Sequence, residues 1–476
     1  MKLFIIFILP FCALLADRPL IILVNPFVNN GNSHSWLSAG ITDTVTNDLK
    51  NIGKVTVISQ EDRKKALKEL KYKQQMGQDE EALEVANLTG ADVIFTGSYT
   101  VLEDSIRVIA KITNTKSGAI EKSIKIDGKI RDLFSLQDKV VISLMKESET
   151  IQIPDVKQAI LNSKEIEKIE KKQKPSMSAY EYYSLGLEIH DTNPNGALEL
   201  YMKALAIDPN YLDALNNIGM LLYTLNQFSD GLKYLNKALK IRENLGLKNT
   251  DDYAGTLNNI GVIYNSKGEY DKALEYYFKA LKINENLGLK NTDGNAKSLN
   301  NIGIIYDSKG EYDKALDYYF KALKIIENLR LKNTDDYAKS LNNIGGFYYS
   351  KGEYDKALDY YFNALKIREN LGLQNTNGNA KSLSNIGNIY TFKGEYDKSL
   401  DYYFKSLKIN ENLGLQNTDG YANTLNNIGI IYKNKNMPKK ALEFFKRVQK
   451  IREIINLQNT EDYQETESLI IELLNK

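Results

Sequence analysis

The chain has 476 residues, 62 Lys+Arg against 61 Asp+Glu, two His, one Cys and one Trp, with 42% hydrophobic and 26% charged residues. That length implies more than one core, and a formal charge of +1 without a long basic block argues against a protein that holds nucleic acid by neutralising phosphates. Two His and one Cys cannot build a Cys/His zinc site or an intramolecular disulfide, so metal and disulfide scaffolds are excluded and no metal or cofactor is expected.

Met1 to Ala16 places Lys2 ahead of a short apolar run ending in a small residue, the pattern of a secretory signal peptide over residues 1–16. The run is short of the roughly 20 residues that span a bilayer and Pro10 interrupts it, so cleavage before Asp17 and export to the periplasm are expected. Lipid attachment at Cys12 is the alternative, although Phe11 stands where that processing wants a small residue. An uncleaved signal or a lipid would tie the chain to a membrane.

From Pro19 a mixed pattern begins. Leu20–Val24 reads as a buried strand closed by Pro26, Asn29–Ser33 as a loop, and Trp36, Leu37, Ile41, Val45 and Leu49 as one face of a helix. Val55–Ile58 gives a second strand, Glu61–Leu70 and Glu80–Asn87 charged helices, and Asp92–Tyr99 a third, buried strand. Ile106, Val108, Ala110 and Ile112, then Ile120, Ile124 and Ile126, alternate with period two and predict an antiparallel meander. Leu133, Leu136, Val140, Val141 and Leu144 predict a closing helix.

On Asn25-Pro26-Phe27, Ala39–Asp43, Thr89–Ser98, Ile112–Gly118 and Leu133–Asp138, residues 17–149 resemble the TolB amino-terminal-like domain and its relatives FlgO, CsgG and the lipoprotein activators of penicillin-binding proteins. The resemblance implies an exported α/β domain, a mixed sheet with helices, that works in envelope complexes through protein contacts. It implies no catalytic constellation. Gly40, Gly90, Gly97 and Gly118 are read as tight turns or close backbone approaches.

Residues 150–178 hold a run of alternating Lys and Glu and read as a charged, exposed linker, so two separately folded pieces are expected. Beyond it the chain repeats. Gly219, Gly261, Gly303, Gly345, Gly387 and Gly429 follow one another at intervals of 42, and Lys-Gly-Glu-Tyr-Asp-Lys recurs at Lys267, Lys309, Lys351 and Lys393. Within one unit Gly261 and Ala273 let two helices approach, Tyr264 and Tyr277 fill the gaps, Gly288 stops the second helix, and Thr292 caps the next. These units resemble the tetratricopeptide repeat, in a 42-residue form like that of kinesin light chains. The resemblance implies an all-α superhelical solenoid: seven repeats over 179–459, a divergent first one from Tyr180, and a capping helix over 460–476.

In that family the first helix of each repeat lines the concave surface. Asn216, Asn258, Asn300, Asn342 and Asn426 occupy one register there, with Ser384 the exception, and Lys297, Lys339 and Lys381 occupy another. An amide row can pair with a peptide backbone and three lysines favour an acidic segment, so these residues are the expected partner site. A ladder of amides bonding neighbouring helices is the competing account of the Asn row. His34 and His190 fall in different domains, and no catalytic residue is assigned. The expected function is an exported, non-enzymatic scaffold that captures a protein or peptide; the alternative is a regulatory subunit whose head modulates an envelope enzyme or assembly complex.

Overall fold

The computed structural model describes residues 19–474, apart from 53, 59, 61–62, 65, 68–77, 149–150, 152, 154–160, 171, 173, 291, 330–331 and 333. The expected signal peptide and much of the Glu61–Leu70 helix lie outside the described residues. By contacts the chain divides into two units, one reaching Asn295 and one built from Ala296 onward.

The first unit opens with a sheet of β1 (Leu20–Val24), β2 (Val28–Asn29), β3 (Val55–Val57), β4 (Val93–Leu102), β5 (Ser105–Asn114) and β6 (Ile120–Lys129). Its order is β3-β1-β4-β5-β6, with β1 parallel to β3 and β4 and with β4, β5 and β6 antiparallel. The continuous apolar run of β1 suits a strand flanked on both sides, and all five of its residues are buried. Where a loop is expected from Asn29, β2 pairs with β4 through Val28 and Asn29. Helices α1 (Leu37–Ile52) and α3 (Leu133–Ser148) bury the apolar faces read from their periodicity, and α2 (Gln78–Thr89) precedes β4. Gly97 is a close approach, since a Cβ there would meet the Phe27 ring, whereas Gly90 and Gly118 are turns at φ of 73° and 67°.

After α4 (Ser163–Glu170) the described residues form seven helix pairs. They are α5 (Met177–Ile189) with α6 (Pro194–Ile207), α7 (Leu212–Thr224) with α8 (Phe228–Asn244), α9 (Asp251–Ser266) with α10 (Tyr270–Asn286), and α11 (Asp293–Ser308) with α12 (Tyr312–Asn328). Then follow α13 (Asp335–Ser350) with α14 (Tyr354–Asn370), α15 (Asn377–Phe392) with α16 (Tyr396–Asn412), and α17 (Asp419–Asn434) with α18 (Pro438–Ile454); α19 (Glu461–Leu474) caps the run and buries Thr466 and Ile470. An N-terminal mixed sheet with helices is thus followed by a tetratricopeptide array.

The glycine register explains the pairing. A Cβ on Gly261 would stand 2.7 Å from the Tyr277 ring, and one on Gly345 would stand 2.8 Å from Tyr361, so only glycine lets the two helices of a pair seat that aromatic between them. Thr250, Thr334, Thr376 and Thr418 cap first helices by accepting from the amide three residues on.

The expectation of two separately folded pieces needs correction. One hydrophobic cluster runs from Leu20 in β1 through Tyr180, Tyr201 and Ile218 to Ala238 in the second repeat. Of the expected linker, Ser163–Glu170 is helical, and Lys172 and Lys174 bond Asp48 and Asp138 of the sheet domain. The charge pattern that reads as a solvated segment supplies ion pairs to carboxylates on α1 and α3.

Candidate partner-binding surfaces

The amide register on the first helices is spent largely on the next repeat. Asn216 Nδ2 donates to Thr256 Oγ1 at 3.0 Å while its Oδ1 accepts from the Arg242 guanidinium at 3.2 Å. In the second unit Asn300 Nδ2 donates to Ser340 Oγ at 2.6 Å, and Ser382 Oγ donates to Asn342 Oδ1 at 2.8 Å. Ser384 keeps the rung without an amide, its hydroxyl 3.2 Å from that of Thr424. Asn258 is also engaged, and Asn426 Oδ1 is buried without a hydrogen-bond partner among the described residues. Side chains committed in this way tie repeat to repeat, and the backbone-pairing capacity expected of the row is mostly taken.

The three lysines are not equivalent. Lys297 lies 3.0 Å and Lys339 2.9 Å from the Asp336 carboxylate, and Lys339 also reaches Asp335 at 3.3 Å. Burial opposes the Asp336 charge, but the two ammonium groups outweigh it and hold the carboxyl well below its usual range. Lys381 is exposed and makes no ion pair with any described residue, because Asn377 and Gly378 stand where the preceding repeat has Asp335 and Asp336.

Sequence reasoning missed a set of buried guanidinium groups at the end of second helices. Arg368 is 1% exposed and bonds Asp335 Oδ1 at 2.8 Å, Ser382 Oγ at 2.8 Å and the Gly378 carbonyl at 3.2 Å. Arg452 does the same work beside α19, bonding Thr466 Oγ1 at 2.9 Å. Arg242, Asn284, Ile326, Arg368, Asn410 and Arg452 share one register at intervals of 42, a signal that aligning the repeats brings out. Arg368 and Arg452 each clamp their own first helix to the next one and satisfy several acceptors at once, and Arg242 bonds Asn216 on its own first helix.

Where α1 meets the first repeat, Tyr183 donates to Asp43 Oδ2 at 2.8 Å, Gln137 Nε2 donates to Tyr180 Oη at 2.7 Å, and Tyr180 Oη lies 3.1 Å from Thr44 Oγ1. Lys172 pairs with Asp48 at 2.8 Å, Lys174 with Asp138, and Asn51 donates to Asp252 in the third repeat at 3.2 Å. Trp36 and Phe134 set their edges against the Tyr180 ring at 5.9 and 5.0 Å. Gly40 is the closest approach, since a Cβ would stand 2.7 Å from Tyr180 Oη and closer still to Ser184 Oγ.

A model described as a tetratricopeptide repeat matches residues 252–328, 336–412 and 378–454, and a second such model matches 212–245. A model for the peptidoglycan-synthase activator LpoB matches residues 13–120. The chain carries tetratricopeptide repeats and an LpoB-like amino-terminal domain. Among the relatives named from the sequence, the activator branch is therefore the one that a family model supports. Similar solved structures include BtubC (BKLC) from P. vanneervenii, 24% identical over 48% of this chain and 92% of that one, with a TM-score of 0.40. Others are the APC/C hetero-tetramer Cut9-Hcn1, 15% identical over 72% and 56% with a TM-score of 0.47, and a Podosopora anserina putative kinesin light chain, 12% identical over 43% and 97% with a TM-score of 0.37. No curated protein gives a match to this chain.

Proposed function

We propose that this protein is an accessory subunit of the cell envelope whose sheet domain stimulates a peptidoglycan synthase while its repeats hold a further protein partner. The observation that carries the reading is the match of residues 13–120 to the peptidoglycan-synthase activator model, which favours the regulatory alternative over a scaffold alone. The regular array adds surface for a partner and has the architecture of protein-interaction modules. Neither part supplies catalytic groups in this reading; the synthase does the chemistry and the sheet domain shifts its activity by contact. An envelope location follows from the same match, and the apolar run that begins at Leu3 is the expected export signal. No helix among the described residues is long and apolar enough to cross a membrane.

The test is glycan polymerisation by purified bifunctional synthases from the source cell, with and without the full-length mature chain. A rise in rate supports the reading. No change with any of them, together with retained partner binding by the array, would leave the chain as a scaffold alone.

A further inference from the structure

Four second helices carry one phenylalanine in a fixed register, Phe278, Phe320, Phe362 and Phe404, at intervals of 42; the second repeat has Asn236 there and the seventh Lys446. In the second unit this phenylalanine covers an aromatic ring forty positions on: Phe362 lies 6.2 Å from Tyr402 and Phe404 lies 6.3 Å from Phe444, ring centre to ring centre. The ring that corresponds for Asn236 is Tyr276. Asn236 does not cover it, because its Nδ2 turns back to donate to the Leu232 carbonyl at 2.8 Å.

A cleft of 670 Å³ opens at this place, between α8 and α10, with Leu239, Tyr253, Leu257, Tyr276 and Ile283 among its lining residues. That volume lies in the range of ligand-sized clefts. Four ammonium groups also line it, those of Lys240, Lys248, Lys279 and Lys282, against a single carboxylate, Glu243. Glu243 already accepts from the Tyr253 hydroxyl at 2.8 Å and lies 3.8 Å from Lys248. Lys240 makes no ion pair with any described residue. Lys279 and Lys282 have their acidic neighbours, Glu275 at 2.6 Å and Glu285 at 3.5 Å, on exposed helix surface outside the lining, where water screens the pairing.

We propose that this cleft docks an acidic segment of a protein partner, one of whose aromatic side chains takes the place that phenylalanine holds in the later repeats. The proposal rests on the reading of the array as a partner-binding element and adds to it a site and a chemistry. An apolar floor with a surplus of cations selects a segment that combines a buried aromatic anchor with flanking carboxylates, since the anchor supplies affinity and the charges supply rate and register.

The experiment titrates the full mature chain with a labelled peptide of the form Glu-Glu-Phe-Glu-Glu, with Phe→Ala and Glu→Lys peptides in parallel. Asn236→Phe restores the residue that four other repeats carry, and it should fold as the wild type by circular dichroism while binding the Phe peptide about tenfold more weakly or worse. The pair Lys240→Glu and Lys282→Glu, both on exposed surface, should weaken binding and flatten its salt dependence. Equal affinity of wild type and both variants, or a wild type that binds no acidic peptide, would overturn the cleft. Binding that Lys381→Glu abolishes while Asn236→Phe leaves it intact would overturn the cleft but keep the array as the partner-binding element. A wild-type dimer in sedimentation that Asn236→Phe dissolves would place a second copy of the chain there and overturn the acidic segment.

Discussion

Tyr183, on the first helix of the array, donates its hydroxyl proton to Asp43 on the first helix of the sheet domain, across 140 residues of sequence and a distance of 2.8 Å. Tyr183 is buried and Asp43 half-buried, and the carboxylate is flanked by Asn47, which donates to it at 3.1 Å. The sheet domain and the first repeat therefore share a polar contact inside a common apolar cluster, an arrangement in which an unpaired partner costs more than the bond itself contributes.

The contact at Gly40 gives the sharpest test of that junction. A valine there places its Cβ against Tyr180 Oη and Ser184 Oγ with no room to rotate away, so Gly40→Val should separate α1 from α5 at a cost of about 1–3 kcal/mol. The sheet keeps its own core of β1, β4, β5 and α3. Hydrogen exchange should show faster exchange in α1 and α5 with β4 and β5 protected, and unchanged protection throughout would contradict the junction as described.

Acid should tighten the same junction. The Asp43 carboxyl is pushed up to about 6, first by burial and then by the charge of Asp213, against the Tyr183 hydrogen bond and the fields of Lys50 and Lys172. Asp251 is pushed up to about 6 by burial and by Asp252, with Lys50 opposing, and burial also shifts Asp48 and Asp138 upward against Lys172 and Lys174. Burial disfavours the Lys172 ammonium, but Asp48, Asp213 and Asp252 together outweigh it and raise its pKa, so it stays charged across this range. A carboxyl with a folded-state value above its free value of 3.8 contributes fully below 3.8 and loses that contribution as pH rises through about 6. From pH 5 to pH 7.5 the junction should weaken by about tenfold for Asp43 alone. Exchange rates in α1 at the two pH values measure this, and Asp43→Asn should reduce the difference by the tenfold that Asp43 contributes, leaving the share of Asp251.

Two glycines separate packing from propensity. Gly345→Ala sets a Cβ 2.8 Å from the Tyr361 ring and should lower array stability by about 1–3 kcal/mol. Gly255→Ala, in the interior of α9 with nothing within 4 Å of the added Cβ, should raise it by about 0.5–1 kcal/mol. Urea denaturation of the two variants should move in opposite directions.

Much of this packing is legible in the sequence because it repeats in phase. Gly261 and Tyr277 recur at the 42-residue interval, so their contact can be read from periodicity and the size of their side chains. The same holds for the alternation of Ile106, Val108 and Ala110, which gives β5 its buried face. What escapes are contacts that cross registers. The rung from Asn300 to Ser340 spans 40 residues and the pair of Lys297 with Asp336 spans 39, so neither partner stands at the same place in its repeat as the other. The Asn and Lys rows look like free surface until the helices are stacked. The link from Asp43 to Tyr183 has no period at all, and the alternating Lys and Glu of the segment between them follow the rule for solvated charge while Lys172 and Lys174 are used as anchors.

Arg368 tests whether the buried guanidinium groups hold the repeats together. Arg368→Asn takes the guanidinium from the Asp335 carboxylate, which is 8% exposed and keeps Lys339 at 3.3 Å, and should cost about 1–3 kcal/mol. The sixth repeat carries Asn377 and Asn410 at the two equivalent positions, so adding Asp335→Asn reproduces a pairing that this chain already tolerates. Stability should return in large part in the double variant, and a double-mutant cycle from urea denaturation reads the coupling directly. Purely additive losses would mean that the pair contributes nothing as a pair.

The lysine row makes the last prediction, and it divides the three residues. Lys297 and Lys339 neutralise Asp336 between them, so reversing either one leaves that half-buried carboxylate beside a new like charge and acts first on the fold. Lys381 has no such duty. Its charge is screened by water alone, and Lys381→Glu should leave the melting temperature of the array unchanged. If the inner row holds an acidic partner, the same substitution should weaken binding several-fold at low salt and less at high salt, because an exposed charge acts through the screened field. Lys339→Glu should instead lower thermal stability, with any loss of binding following from it. Titration of an acidic partner at two salt concentrations, beside a thermal melt of each variant, separates the two behaviours. Equal melting temperatures for the two variants would contradict the ion pairs seen at Asp336, and unchanged binding by Lys381→Glu would remove the inner row as an electrostatic site.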